Sequence, residues 1–146
     1  MSIADLRREY RNHFLTEQDA AADPLTQFKH WFEAAQRSEL LDANAMTLAT
    51  VSATGEPAAR TVLLKGVDDL GFVFFTNYES AKARDLAENP RACLLFFWAE
   101  LERQVRITGA VSRVSREESS AYFRSRPRES QIGAWVEIKP GTAPAP

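Results

Sequence analysis

A chain of 146 residues with 45% hydrophobic side chains has room for one domain with its own core and little room for a second. Its 18 Lys and Arg against 20 Asp and Glu leave a net charge of −2, which excludes a global field for nucleic acid or anionic membrane and makes any basic site local. One cysteine excludes an internal disulfide; Cys93 in RACLLFFW reads as an inert thiol in a buried strand, which fits a reducing compartment.

From Ser2 to Asn12 the residues are helix formers, but Ile3, Leu6 and Tyr10 make a narrow apolar stripe. The charged start, MSIADLRREYR, is unlike a signal peptide, and no apolar run approaches the ~18 residues of a membrane span, so the expectation is a soluble cytoplasmic protein. After TEQDAAAD, Asp23 and Pro24 form a cap followed by a first-turn proline, and Leu25, Phe28, Trp31, Phe32 and Ala35 recur at helical spacing. AMTLATVS and AARTVLLKGV, joined by TGEP, predict a hairpin, and DDLG leads into a third strand, FVFFTN. ESAKARDLAENP predicts a short helix stopped near Pro90, followed by strands in RACLLFFWAE and RQVRITGAVSRVS. A further helix begins at Ser115, with Glu118 at the capping-box position, and Pro127 limits it; residues 137–146, EIKPGTAPAP, read as an unstructured tail. Five strands with inserted helices predict an α+β fold over residues 1–146 with the sheet curled or closed; turns too short for crossovers disfavour parallel winding.

Three stretches carry candidate chemistry. In Arg60-Thr61-Val62-Leu63-Leu64-Lys65 a cation stands at each end of an apolar strand; the odd spacing puts Arg60 and Lys65 on opposite faces unless a bulge intervenes. Strand-end charges reaching solvent would have the same pattern. In Phe75-Thr76-Asn77-Tyr78-Glu79-Ser80-Ala81-Lys82, free amides at a helix start, the hydroxyls of Thr76 and Ser80, and the Lys82 ammonium suit a phosphate, although capping alone would explain Ser80. In YFRSRPRES, Tyr122 and Arg126 share a helical face able to hold a flat anion, with a solvated arginine face as the alternative. Neither His13 nor His30 lies near a Cys or carboxylate at metal-ligand spacing, and GxSxG, GxGxxG, Walker A and CxxC motifs are absent.

LRREY, ADPLTQF, ARTVLLK, GFVFFTN, SAKA, NPRACLLFFWAELERQVRITG and YFRSRPRESQIGAW, in this order from Leu6 to Trp135, together resemble the pyridoxamine (pyridoxine) 5′-phosphate oxidase family. The resemblance implies a split β-barrel with flanking helices that binds FMN at the interface of a homodimer. It also implies oxidation of pyridoxamine or pyridoxine 5′-phosphate to pyridoxal 5′-phosphate with O2 as acceptor. Because the flavin carries the redox step, no catalytic side chain is implied. By this resemblance Arg60, Thr61, Val62, Leu63, Leu64, Lys65, Phe75, Thr76, Ser80, Lys82 and Gln104 contact FMN. Lys65, Tyr122, Arg126 and Ser130 hold the substrate phosphate, and Arg7, Arg8, Glu9 and Tyr10 lie near the substrate. The pattern departs at Ala81, where the family usually has an arginine, and after Trp135, where the family continues through further strands and a stretch of the type FWQG…RLHDR. The expectation is therefore a barrel with its C-terminal strands missing, in a shortened homologue or a fragment. A binder of FMN or pyridoxal phosphate without turnover is the alternative.

Overall fold

The computed structural model describes residues 1–11, 14–76, 79–114, 117 and, for the backbone, 134–140. The chain divides into two compact units, one of Met1–Ala43 with Phe97–Gln104, the other of Asn44–Phe96 with Val105–Pro146.

The first unit is organised by the helix α1, Pro24–Arg37. It starts where the sequence predicts: one Asp23 carboxylate oxygen accepts from the backbone N–H of Leu25 at 3.0 Å and of Thr26 at 3.1 Å, and Pro24 occupies a position whose N–H would have no helical partner. Its apolar face buries Phe28 and Ala35. Phe28 and Phe32 stack at 5.7 Å between ring centroids, and Trp98 packs against both at 6.2 and 6.4 Å. The Trp98 indole donates to the Ala43 carbonyl at 2.9 Å, so a large buried ring has its polar atom satisfied. The segment before α1 differs from expectation. A single 3-10 turn, Ile3–Asp5, forms where Asp5 accepts from the Ser2 N–H and hydroxyl, and the chain then leaves the helix. Ile3, Leu6 and Tyr10 are exposed, so the narrow stripe buries nothing that would sustain further turns.

The second unit is a closed antiparallel barrel. The strands are β1 Ala45–Val51, β2 Pro57–Asp68, β3 Gly71–Thr76, β4 Arg91–Trp98, β5 Arg103–Ser112 and β6 Ala134–Pro140, in the order β1-β2-β3-β6-β5-β4, with the last two residues of β4 and the first two of β5 counted in the first unit. The hairpin between β1 and β2 turns at Gly55, whose φ of +87° is open to glycine without strain, and the Ser52 N–H closes it on the Glu56 carbonyl at 2.9 Å. Alternation along β1 to β5 sends Met46, Leu48, Val62, Leu64, Phe72, Phe74, Leu94, Phe96, Ile107 and Val111 into the core. The helix α2, Ala81–Glu88, adds Leu86 to that core.

Where the sequence predicts five strands and a tail from residue 137, β6 continues to Pro140, pairing Phe72 with Ile138 and Val111 with Ile138 from its two sides. Lys139 and Pro140 disguise it. Pro140 sits at the last paired position, opposite Gly109, where a missing N–H costs the ladder least. Positions 141–146 of the expected tail lie outside the described residues.

The hydroxyl and backbone N–H of Thr26 hold the Asp23 carboxyl below its usual pKa. A depressed carboxylate adds stability that is present above its unfolded value, near 3.9, and lost as pH falls through the folded value. Asp23→Ala should therefore lower the thermal midpoint at pH 7 and make progressively less difference below pH 4. Asp23→Asn should retain most of the neutral-pH stability, because an amide oxygen also caps. Melting curves from pH 2.5 to 7 check both.

Candidate functional site

Polar groups gather at one end of the barrel, where β2 begins, β3 ends and α2 starts. Arg60 lies on the inward row of β2 with Val62 and Leu64, and its side chain is 24% exposed. A guanidinium so placed needs partners. Its Nη1 donates to the Thr50 hydroxyl at 2.7 Å and to the Leu48 carbonyl at 3.3 Å, both on β1, which pairs Leu48 directly with Arg60. Thr50, 1% exposed, donates in turn to the Asp85 carboxylate of α2 at 2.9 Å, and Asp85 lies 3.9 Å from Arg60 Nη2.

Beside this network Thr76, 4% exposed, ends β3, and its hydroxyl is 3.1 Å from that of Ser80. Ser80 is the cap of α2, accepting from the Ala83 N–H at 3.2 Å. Lys82, half-buried at the second position of the helix, forms no ion pair among the described residues, and the first turn of α2 carries no acidic side chain. A helix start with its amides, one buried and one half-buried hydroxyl, and cations on α2 and β2 is suited to a phosphate dianion.

Thr61, Leu63 and Lys65 occupy the outward row of β2 and are exposed. The strand pairs Leu64 with Phe74 and Gly66 with Val73, so Lys65 is the extra residue of a β-bulge. The bulge follows Leu64 and leaves the upstream alternation intact, so Arg60 and Lys65 do stand on opposite faces. Phe75 is half-buried on the outward row of β3. Gln104, exposed on β5, belongs to the first unit, as do Arg7, Arg8, Glu9 and Tyr10. Those four are exposed; Arg8 donates to the Ala99 carbonyl at 2.6 Å and its guanidinium lies 5.6 Å from the Tyr10 ring. Tyr122, Arg126 and Ser130 lie outside the described residues, as does the helix start expected at Ser115.

Sequence reasoning passed over Thr50 and Asp85. Nothing local marks either: Thr50 reads as a β-branched strand residue and Asp85 as one charge in a helical run. The first unit has a cavity of about 340 Å³ lined by Phe14, Leu15, Gln27, His30, Trp31 and Arg103, none of which the sequence nominates. There the Arg103 guanidinium lies 4.7 Å from the Trp31 ring, and burial lowers its pKa. Among the described residues no cluster of three His, Cys, Asp or Glu side chains is placed to hold a metal. None of the described helices is long and apolar enough to cross a membrane.

Residues 32–146 match the profile of pyridoxamine 5′-phosphate oxidase. The chain belongs to this family. It is 58% identical over 142 residues to a pyridoxine/pyridoxamine 5′-phosphate oxidase of Cupriavidus necator, covering 97% of this chain and 67% of that one. It is 60% identical over 135 residues to one from Acaryochloris marina, covering 92% and 62%. The chain thus spans about two thirds of the length of these relatives. Among solved structures, PhzG from Burkholderia lata, in complex with tetrahydrophenazine-1-carboxylic acid, superposes with a TM-score of 0.79 at 21% identity, covering 88% of this chain and 83% of that one. A pyridoxamine 5′-phosphate oxidase-related, FMN-binding protein from Nostoc punctiforme gives 0.68 at 21% identity, covering 82% of each chain. At that identity these two likenesses establish the shared split-barrel fold.

Substitution isolates the capping by Ser80. Ser80→Ala should cost roughly 1 kcal/mol by fraying α2. Ser80→Asp should keep the cap, and so the stability, while placing a carboxylate among the groups suited to a phosphate; urea unfolding of both variants measures the first effect.

Proposed function

We propose that this chain binds FMN and, with it, oxidises pyridoxamine or pyridoxine 5′-phosphate to pyridoxal 5′-phosphate, O2 being the acceptor. The observation that carries the reading is the gathering of Arg60, Thr76, Ser80 and Lys82 at the mouth of one barrel in a member of this family. The donor set fits a flavin phosphate: two cations, two hydroxyls and a helix N-terminus. When bound, FMN supplies the redox chemistry, and the chain's residues bind, orient and exclude competitors.

Arg60, Ser80, Thr76 and Lys82 would hold the FMN phosphate, with Thr61, Leu63, Phe75 and Gln104 along the rest of the flavin; the side chains of Val62 and Leu64 are buried in the barrel core, so these two would meet it only through their backbone. Lys65, on the opposite face from Arg60, would serve the substrate phosphate with Tyr122, Arg126 and Ser130, and Arg7 to Tyr10 would border the substrate. Opposed faces suit two phosphates that must be kept apart. Ala81 stands where the family carries an arginine; one missing charge-assisted contact of roughly 1.5–3 kcal/mol weakens FMN binding by one to two decades.

A binder without turnover is the second reading. Its support is that the same fold serves proteins described in other terms, including an FMN-binding protein and, at a TM-score of 0.58 and 15% identity, a heme storage protein of Vibrio cholerae. An anaerobic visible spectrum separates the two. Adding pyridoxine 5′-phosphate to the FMN-loaded protein should bleach the flavin band, whereas an unchanged spectrum favours the binder. Arg126→Ala should raise the concentration needed for half-bleaching at least about tenfold with FMN occupancy unchanged.

The reading includes a homodimer. The outward rows of β2, β3 and β4 share apolar side chains: Leu63 is 41% exposed, and Val73, Phe75, Cys93 and Leu95 are half-buried. A second copy is the occupant that the family's shared flavin site calls for, and it would cover this face. Sedimentation should give a dimer mass that Leu63→Glu shifts toward monomer; a monomeric wild type, with and without FMN, would refute the dimer.

A further inference from the structure

Asp85 is a half-buried carboxylate, 16% exposed at its side chain, that no motif of the chain nominates. It stands three residues after Lys82 on α2, hence on the same side of the helix, and five after the cap Ser80. Its carboxylate accepts from Thr50, whose hydroxyl accepts from Arg60, so one hydrogen-bond chain runs from α2 through β1 to β2. The links measure 2.9 and 2.7 Å, while the direct Asp85 to Arg60 separation of 3.9 Å is too long for a hydrogen bond. Thr50, at 1% exposure, is held on both sides and has no freedom to turn away.

We propose that Asp85, acting through Thr50, is a positioning residue that fixes Arg60 and the start of α2 as a single phosphate-binding unit. The proposal rests on the reading above that Arg60, Ser80 and Lys82 hold the FMN phosphate. A guanidinium on β2 and an ammonium on α2 converge on one phosphate only while their two elements stay in register. The chain through Thr50 joins them by hydrogen bonds that meet at one buried hydroxyl. The Asp85 charge also opposes an incoming anion, so geometry and charge predict opposite signs for its removal.

Comparing FMN with riboflavin isolates the phosphate, because the two ligands share everything else. Apo-protein is titrated with each, following quenching of flavin fluorescence. The wild type should prefer FMN. Asp85→Ala should weaken FMN about tenfold and leave riboflavin unchanged, and Thr50→Val should do the same, since it cuts the chain while keeping both charges. Asp85→Asn, which keeps an oxygen for the Thr50 hydroxyl, should preserve the preference within about threefold. Thr50→Val and Asp85→Asn decide the matter even if Asp85→Ala fails to fold. Unchanged preference in Thr50→Val, tighter FMN binding in Asp85→Ala, or FMN weakened about tenfold in Asp85→Asn overturns the positioning role while leaving the cradle in place. A wild type that binds both flavins equally overturns the cradle reading and this proposal with it.

Discussion

A guanidinium set on the inward row of a barrel strand must be paired, and the polar end of the second unit is arranged around that requirement. Arg60 follows the same alternation that buries Val62 and Leu64, so its direction is imposed by the strand. Water cannot solvate it fully there. The Leu48 carbonyl and Thr50 hydroxyl come from β1, aligned by the pairing of Leu48 with Arg60; the Asp85 carboxylate comes from α2. Strand register and helix docking thus meet at one side chain. A slip of one residue between β1 and β2 would expose the apolar row and leave Arg60 without partners together.

The same alternation separates two chemistries on one strand. Inward positions end in a cation held by hydrogen bonds; outward positions end in Lys65, exposed at a bulge where β2 gains a residue over β3. Bulges re-aim side chains and close pairing locally, and this one lies immediately after the last inward residue of the regular ladder. Two anionic groups on opposite faces could therefore be bound without competing for one cation. In the first unit, aromatic packing has the organising role: Phe28, Phe32 and Trp98 form a cluster whose one polar ring atom is bound by the Ala43 carbonyl.

Local chemistry is what the sequence expresses well. Asp23 and Pro24 begin α1 because a carboxylate acceptor and a residue without N–H suit the first turn of any helix, whatever surrounds it. Ser80 caps α2 for the same reason, and period-two runs of Val, Leu and Phe become β1 to β5 because one face of each must be buried. The seven family stretches were equally legible, since each is a short contiguous string. Where local signals were weak the reading went astray. The helix formers before Asn12, with their narrow stripe of Ile3, Leu6 and Tyr10, bury nothing and give one 3-10 turn, and Lys139 and Pro140 hid a strand that two neighbours recruit.

Contacts between residues distant in the chain had to come from the tertiary structure. Thr50 and Asp85 are 35 residues apart, and neither has a local pattern that announces a partner. Spacing predicted that Arg60 and Lys65 diverge on a regular strand; that the bulge at Lys65 falls after the alternation separating them was visible only in the structure. That Arg60 turns into the barrel, that Thr50 and Asp85 receive it, and that β6 closes the ring were decided by folding. Each depends on which strands become neighbours and in what register, and that follows from the burial of the whole apolar set.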